Sequence, residues 1–110
     1  MSAENSGSGN EPERTPDGRY IIVRGRLWRA TNPNLTEKER ETHVKALMTA
    51  RRAVRDALAS GDEAALKEAR AGVQAAKVAL GERGPVWWDD GAKDWNRYLV
   101  KNTPYAGSHR

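Results

Sequence analysis

The fold is decided by residues 36–83, which read TEKERETHVKALMTARRAVRDALASGDEAALKEARAGVQAAKVALGER. A capping box opens this stretch, because the Thr36 hydroxyl is placed to accept from the Glu39 amide while the Glu39 side chain reaches back to the Thr36 amide. Apolar residues then recur at three- and four-residue spacing, and these are Val44, Leu47, Met48, Val54 and Leu58. The pattern predicts an amphipathic helix that ends at Ser60 and Gly61.

A second helix is predicted directly after the first. Ser60 and Glu63 have the spacing of another capping box, so we expect Ser60 to be its N-cap. Its apolar seam alternates steps of three and four, as in an a/d pattern, through Leu66, Ala69, Val73, Ala76 and Leu80. Gly72 lies beside this seam. Because glycine costs about 1 kcal/mol relative to alanine within a helix, we interpret it as a point of close helix approach.

The two predicted helices form an antiparallel hairpin, since the turn between them is short. Gly81 or Gly84 ends the second helix, and Pro85 prevents its continuation. Both helices contain the pattern Ala-Leu-x-x-Ala-Arg-x-x-Val, in residues 46–54 and 65–73. We interpret this as shared helix-packing chemistry and not as a duplication.

A β-hairpin is predicted ahead of the helices. Residues 19–23 and 26–30 are rich in β-branched and aromatic side chains, and a two-residue Arg-Gly turn separates them. The register that follows pairs Ile22 with Leu27 and Ile21 with Trp28. Because an isolated hairpin is only marginally stable, we expect it to pack on the helices.

A third, shorter helix is predicted near the C-terminus. One face would carry residues at i, i+4, i+7 and i+11, namely Trp88, Ala92, Trp95 and Leu99. Asp89 or Asp90 would cap its start, and Trp95 is expected to be a core residue. The adjacent Trp87 and Trp88 would either wall a ligand site or close the open end of the helical hairpin, and we favour the second interpretation.

Composition is polar but compatible with a folded core, with 37% hydrophobic and 31% charged residues among 110. We expect a disordered acidic tail over residues 1–16, a single domain over 17–106 and a frayed C-terminus over 107–110. The predicted fold class is α+β, predominantly helical. The chain has no cysteine, which excludes disulfides and thiolate chemistry. No apolar run approaches the roughly 18 residues of a membrane span, so we expect a cytoplasmic location.

Positive charge is concentrated after residue 18. Residues 1–18 carry four acids and one arginine, so the remainder carries +7, which is the net +4 minus −3. Basic and aromatic residues form a candidate binding face on the β-hairpin and first helix, namely Arg19, Tyr20, Arg24, Arg26, Trp28, Arg29, Lys45, Arg51, Arg52 and Arg55. Arginine beside aromatic rings is typical of nucleic-acid binding, whereas the competing interpretation has these arginines covering apolar surface and pairing with acids. Arg51 and Arg55 are predicted to project close to the apolar stripe of the first helix. They would therefore border the surface that packs against this stripe.

Several stretches also carry a resemblance to a known group. They are GRYIIV and GRLWRA at 18–23 and 25–30, ARRAV at 50–54, GPVWWDD at 84–90 and NRYLVKNTPY at 96–105. Together they resemble small bacterial proteins that often carry the label "biopolymer transporter Tol", over most of the chain after Asp17. The resemblance implies no activity and no catalytic residue. We do not take the label as a function, because the sequence predicts no membrane anchor, export signal or propeller repeat.

Catalytic and cofactor motifs find little support. Asp89, Asp90 and Asp94 are explained by capping without a metal ion, and neither His43 nor His109 has a nucleophilic partner in a recognisable arrangement. No glycine-rich phosphate loop is present. We therefore expect no catalytic, cofactor-binding or metal site. The predicted function is a small non-enzymatic binding or interaction module of unknown partner, with an acidic protein surface and a nucleic acid both left open. The alternative is a nucleic-acid-binding protein that uses the arginine-rich face of the β-hairpin and first helix.

Overall fold

The computed structural model describes residues 13–107, in which a three-stranded antiparallel sheet precedes two helices. The elements are the strands β1 (Glu13–Arg14), β2 (Tyr20–Val23) and β3 (Arg26–Arg29), the helices α1 (Glu37–Ser60) and α2 (Glu63–Ala79), and 3-10 turns at Val100–Asn102 and Pro104–Gly107. This combination confirms the predicted α+β class. Most of the predicted acidic tail and the end of the predicted frayed C-terminus lie outside the described residues. Two compact units are formed, one from residues 13–30 and 93–107 and one from residues 31–92.

The β-hairpin of the first unit has the predicted register. Ile22 pairs with Leu27, and Ile21 pairs with Trp28. The two turn residues between the strands, an arginine and a glycine, have φ angles of 54° and 76°, and a type I′ hairpin turn requires positive φ at both positions. The turn therefore matches the twist of the flanking strands and fixes their register.

The strand β1 corrects the prediction of a disordered tail through residue 16. Its two residues pair with Ile22 and Ile21 along the outer edge of β2. The chain then turns at Thr15, whose amide donates to the Tyr20 carbonyl at 3.0 Å and whose hydroxyl accepts from the Tyr20 amide at 3.2 Å. These bonds with β2 order a segment whose composition alone indicated disorder.

The opposite edge of the sheet, on β3, is covered by the C-terminal segment. The Leu27 amide donates to the Tyr98 carbonyl at 2.9 Å, and the Arg97 amide donates to the Leu27 carbonyl at 2.7 Å. One residue pair further along, the Arg29 amide donates to the Asn96 side chain at 2.8 Å. An exposed edge strand normally leaves such groups to solvent, so this segment completes the sheet.

The helical hairpin of the second unit begins with the predicted capping box. Thr36 Oγ1 accepts from the Glu39 amide at 3.0 Å, and Glu39 Oε1 accepts from the Thr36 amide at 2.8 Å. The predicted N-cap of the second helix is wrong. Ser60 is the last residue of α1, and Asp62 caps α2 by accepting from the Ala65 amide at 3.0 Å. The C-cap of α1 is Gly61, which has a φ of 73°. Ser60 is therefore still part of α1 and does not serve as the N-cap of α2.

The seam between the helices is made largely of alanine. Ala50, Ala57, Ala69 and Ala76 are buried together with Leu47 and Leu80. A Cβ atom at Gly72 would lie 3.2 Å from the Ala50 Cβ, which confirms the predicted close approach. Because small side chains fill the seam, Met48 and Leu58 are displaced to its flank and are 47% and 58% exposed, contrary to the predicted stripe.

The open end of the helical hairpin is closed by the segments that flank it. The Asn32 amide donates to the Leu80 carbonyl at 2.8 Å. Of the two candidate glycines, Gly81 directly follows the C-cap and has a φ of 85°. A Cβ there would lie 2.9 Å from both the Asn32 Cβ and the Trp87 Cδ1, so only glycine fits. Trp87 is half-buried at this position, as the interpretation of the tryptophan pair as a closing element predicts.

The predicted third helix is wrong, because residues 81–99 contain none and only 3-10 turns follow them. Gly91 and Arg97 have φ angles of 80° and 76°, which a right-handed helix excludes. Trp95 is consequently half-buried and not a core residue. Its ring meets that of Tyr98 edge to face at 5.1 Å, and Lys93 Nζ lies 4.6 Å from its centroid.

Hydrogen bonding explains why the helical periodicity fails here. Two amides that a helix would use internally donate to side-chain oxygens, from Trp95 to the Tyr20 hydroxyl at 2.7 Å and from Asn96 to Asp94 at 3.0 Å. Aspartate side chains compete with helices in this way. The aspartates predicted to cap a helix instead hold irregular turns.

Candidate functional site

A groove with three arginines runs along one flank of the helical hairpin. It has a volume of about 360 Å³ and is lined by Arg51, Val54, Arg70, Val73 and Arg83, which we call the arginine groove. Four of these residues come from the Arg-x-x-Val part of the pattern that α1 and α2 share. They are Arg51 and Val54 on α1 and Arg70 and Val73 on α2. When two antiparallel helices pack through equivalent residues, a two-fold axis perpendicular to the plane of the pair relates them. This rotation keeps each side chain and its equivalent on the same side of the pair, so both line the same groove. The shared pattern thus places two arginines and two valines together.

The arginine groove has an apolar floor and cationic walls. Val54 and Val73 are half-buried, whereas Arg51 and Arg70 are exposed. Arg83 is held over the α2 side, where its Nη1 donates to Gln74 Oε1 at 2.8 Å. Within residues 13–107, none of the three guanidinium groups has a carboxylate oxygen within 4.0 Å. Three positive charges therefore border one groove, and such a surface attracts anions.

Large apolar side chains continue the groove along α1. Steps of four, three, four and three residues place one row on this flank, namely Val44, Met48, Arg51, Arg55 and Leu58. At a rise of 1.5 Å per residue, Met48 and Leu58 lie about 15 Å apart along the helix axis. Both are about half exposed, so the arginine wall has an uncovered apolar residue near each end.

Two residues of the predicted binding face are buried and belong to the first unit's interior. The Arg29 side chain is 3% exposed, and its Nη2 lies 2.8 Å from Asp94 Oδ2. Tyr20 is fully buried, and its hydroxyl accepts from the Trp95 amide at 2.7 Å and donates to Asp94 Oδ1 at 3.2 Å. Burial, together with the nearby Asp94 carboxylate, raises the pKa of Tyr20 to about 12. Neither side chain is available to a partner, and this corrects the prediction for both.

The other predicted residues are distributed over several surfaces. On the hairpin, Arg24, Arg26 and Trp28 are exposed and Arg19 is half-buried, while the Arg26 guanidinium donates to the Arg97 carbonyl. On α1, Arg51 and Arg55 belong to the row described above. Lys45 and Arg52 are also exposed but point away from the helix seam. Of the ten predicted residues, the structure places Arg51 in the groove and Arg55 on the row beside it.

Arg70 and Arg83 were missed by the sequence analysis. Arg70 had a usable signal, because it is the α2 equivalent of Arg51 in the shared pattern. Arg83 had none, since it follows the end of α2 and reaches the groove through the turn at Gly81. The floor residues Val54 and Val73 were identified only as packing positions.

A second groove on the opposite flank of the helical hairpin has a different character. It measures about 800 Å³, and most of its lining is alanine, glycine, serine or threonine. Its two charged residues, Asp56 and Glu68, are acidic. The two flanks of the hairpin therefore differ in charge, and of these two grooves the arginine groove is the one that combines cationic walls with bulky apolar neighbours.

Clustered metal ligands and membrane-spanning helices are both absent from residues 13–107. No group of three or more histidine, aspartate or glutamate side chains there is arranged to hold a metal ion. Asp94 is paired with Arg29, and Asp90 accepts from the Ala92 amide. Over the same residues, neither helix combines the length and apolar character that crossing a bilayer requires.

No protein-family model matches the chain, and no curated protein or solved structure is significantly similar to it. A fold hosts many functions, so the site's own chemistry must carry the functional argument.

Proposed function

We propose that this protein is a non-enzymatic binding module whose arginine groove holds an acidic segment of a partner protein. The observation that carries the proposal is the set of three guanidinium groups around an apolar floor, with no carboxylate beside them in the described chain. Guanidinium groups present planar donor forks that match carboxylates, and they are hydrated more weakly than ammonium groups. Acidic side chains of a partner would supply the missing negative charge.

The side chains of the groove favour binding over reaction. Arginine stays protonated under all physiological conditions, and valine has no reactive group. The groove lining contains no carboxylate, imidazole, hydroxyl or thiol that would serve as a base or nucleophile. Its charge and shape are suited to holding an anionic group.

The proposal is tested by titrating labelled poly-glutamate into the protein at about 50 mM and 150 mM salt and following fluorescence anisotropy. We expect the triple variant Arg51→Gln/Arg70→Gln/Arg83→Gln to bind at least about tenfold more weakly than the wild type, a change of 1.4 kcal/mol. Its affinity should also depend less on salt. Glutamine is a comparable helix former, so helix content by circular dichroism should be preserved.

The matched control is Lys38→Gln/Lys45→Gln/Arg52→Gln, which removes three exposed charges at seven-residue spacing from the side of α1 that points away from the groove. Both triple variants lower the net charge from +4 to +1, since three is subtracted from four. The control should keep the wild-type affinity within about twofold. An equal loss in both variants would mean that binding follows net charge, and the groove would not be the site.

Nucleic-acid binding remains the second candidate function, supported by one feature of the β-hairpin. Trp28 is 37% exposed, and Arg26, two residues earlier on the same face of β3, is also exposed. An exposed ring beside an arginine is suited to base stacking. Trp28→Ala should weaken binding to a single-stranded oligonucleotide by about 1–3 kcal/mol and leave duplex binding unchanged. No detectable binding of either at about 50 mM salt would exclude this candidate.

A further inference from the structure

We propose that the segment held by the arginine groove is an amphipathic helix of a partner protein, with acidic residues on both sides of its apolar row. This helix would lie along α1 and α2 and complete a three-helix bundle. The inference rests on the proposed function and specifies the conformation and residue pattern of the partner.

The shape of the hairpin favours a helical occupant. Two antiparallel helices leave a furrow along each flank, and a third helix fits such a furrow by ridges-into-grooves packing. The seam of α1 and α2 is unusually close at Gly72, where a Cβ would lie 3.2 Å from Ala50. Because the furrow is floored by Val54 and Val73, an apolar row on the third helix would pack directly on it.

The two exposed apolar residues on α1 determine how long the apolar row of the partner helix must be. Met48 and Leu58 are 47% and 58% exposed and lie about 15 Å apart. On a helix packed alongside, this distance corresponds to residues about ten or eleven positions apart, or three turns. The partner is therefore expected to carry apolar residues at i, i+3 or i+4, i+7 and i+11.

The charges of the groove set the flanks of the partner helix. Arg51 and Arg55 lie between Met48 and Leu58 on the α1 side, and Arg70 and Arg83 lie on the α2 side. A helix seated between them has its apolar row on the floor and its two flanks against arginines. Glutamate or aspartate on both flanks would complement these positions. A nucleic-acid backbone would supply the charge but leave Met48 and Leu58 uncovered.

The experiment uses three synthetic peptides of about 18 residues, long enough for five helical turns. The first has a leucine row at three- and four-residue spacing with glutamates on both flanks. The second has the same composition in scrambled order, so that no row forms. The third keeps the leucine row but has glutamine in place of glutamate. Affinity is measured by anisotropy, and peptide helicity by circular dichroism, for the wild-type protein.

We expect the first peptide to become helical on binding and to bind at least about tenfold more tightly than either of the others. The variant Met48→Ser/Leu58→Ser should lose about tenfold affinity for that peptide while binding poly-glutamate as the wild type does. The control variant Val78→Ser removes a comparably exposed apolar residue from α2 and should not change the affinity for the peptide.

Two results would overturn the inference and leave the proposed function standing. They are equal affinity for the ordered and scrambled peptides, and binding without a gain of helicity, in each case with poly-glutamate still dependent on the groove arginines. If neither the peptides nor poly-glutamate binds, the proposed function fails as well.

Discussion

Arg29 and Asp94 form an ion pair in which the guanidinium Nη2 lies 2.8 Å from the carboxylate Oδ2, although 65 residues separate them in sequence. The Asp94 carboxylate also accepts from the Tyr20 hydroxyl and from the Asn96 amide. One carboxylate therefore joins β2, β3 and the C-terminal segment of the first unit. The pair is asymmetric, since the Arg29 side chain is 3% exposed and that of Asp94 is 33% exposed.

Replacing Asp94 by asparagine should destabilise the protein by about 3 kcal/mol, because the buried Arg29 guanidinium is left without its counter-charge. The value lies at the lower end for a buried pair since Asp94 is partly solvated. Urea denaturation of the wild type and variant measures the difference. Asp89→Asn, at an exposed position, is the control and should change the free energy of unfolding by less than about 0.5 kcal/mol. Equal denaturation midpoints for Asp94→Asn and wild type would show that the pair contributes nothing.

Tyr20 should make the protein sensitive to alkali. Its pKa is raised from 10.0 to about 12, first by burial and then by the nearby Asp94, so the folded state favours the neutral phenol. The stability this provides is fully present below pH 10 and is lost as the pH rises to about 12. The free energy of unfolding, measured by urea titration at a series of pH values, should therefore fall across this interval.

The variant Tyr20→Phe separates this effect from general alkaline denaturation. At neutral pH it should be less stable by about 1–3 kcal/mol, because the Trp95 amide and Asp94 lose a buried partner. Its alkaline loss of stability should be smaller than that of the wild type. Tyr98→Phe, at a residue that is 42% exposed, should keep the full alkaline loss. If Tyr20→Phe loses stability with pH as steeply as the wild type does, Tyr20 is not the group responsible.

Asp17 should produce the opposite dependence in acid. Burial raises the pKa of its carboxyl, but hydrogen bonds from the Tyr105 hydroxyl, the Thr15 hydroxyl and the Arg19 amide outweigh burial and lower it below 3.8. The corresponding stability is present above pH 3.8 and is lost as the pH falls through the folded-state pKa. Acid titration followed by near-ultraviolet circular dichroism should show a shallower transition for Asp17→Asn. An unchanged transition would contradict the assignment.

Gly72 should tolerate no large side chain. Gly72→Leu places branched carbon where a Cβ alone already lies 3.2 Å from the Ala50 Cβ, so we expect overpacking that costs about 1–3 kcal/mol. Ala71→Leu, on the neighbouring exposed position of α2, should be nearly neutral. Thermal denaturation of both variants measures the difference. A higher melting temperature for Gly72→Leu would mean that this position faces solvent.

The helical hairpin and the β-hairpin could be predicted because their signals are local. The capping box at Thr36, the glycine at position 61 and the two-residue turn at Arg24 each specify their own backbone within a few residues. The seam was harder. Ala50 and Ala57 are seven residues apart, as Leu47 and Val54 are. Periodicity therefore could not decide whether these alanines or the bulkier Met48 and Leu58 face the second helix. The presence of Gly72 was the one sign that small residues fill the contact.

The third helix could not be excluded from sequence, because the reasons for its absence are largely non-local. The Trp95 amide donates to the hydroxyl of Tyr20, 75 residues away, and Asp94 is engaged by Arg29 from β3. For the same reason Tyr20 and Arg29 were assigned to a binding face, since nothing near them in sequence indicates their buried partner. Arg51 could be predicted because it lies on a helix with a clear apolar periodicity. Arg83 was missed because it follows the end of α2, where no periodic pattern indicates its position.

The covering of β3 by residues 96–100 has a consequence for the order in which the chain folds during synthesis. The whole of residues 31–92 must be translated before the segment that covers this edge exists. Until then the nascent chain presents β3 with unmet amides and carbonyls, a template for pairing with another polypeptide. The helical hairpin, built from local contacts, folds during that interval without waiting. We therefore expect newly made chains to be prone to pairing along β3 throughout this interval, until residues 96–100 cover that edge.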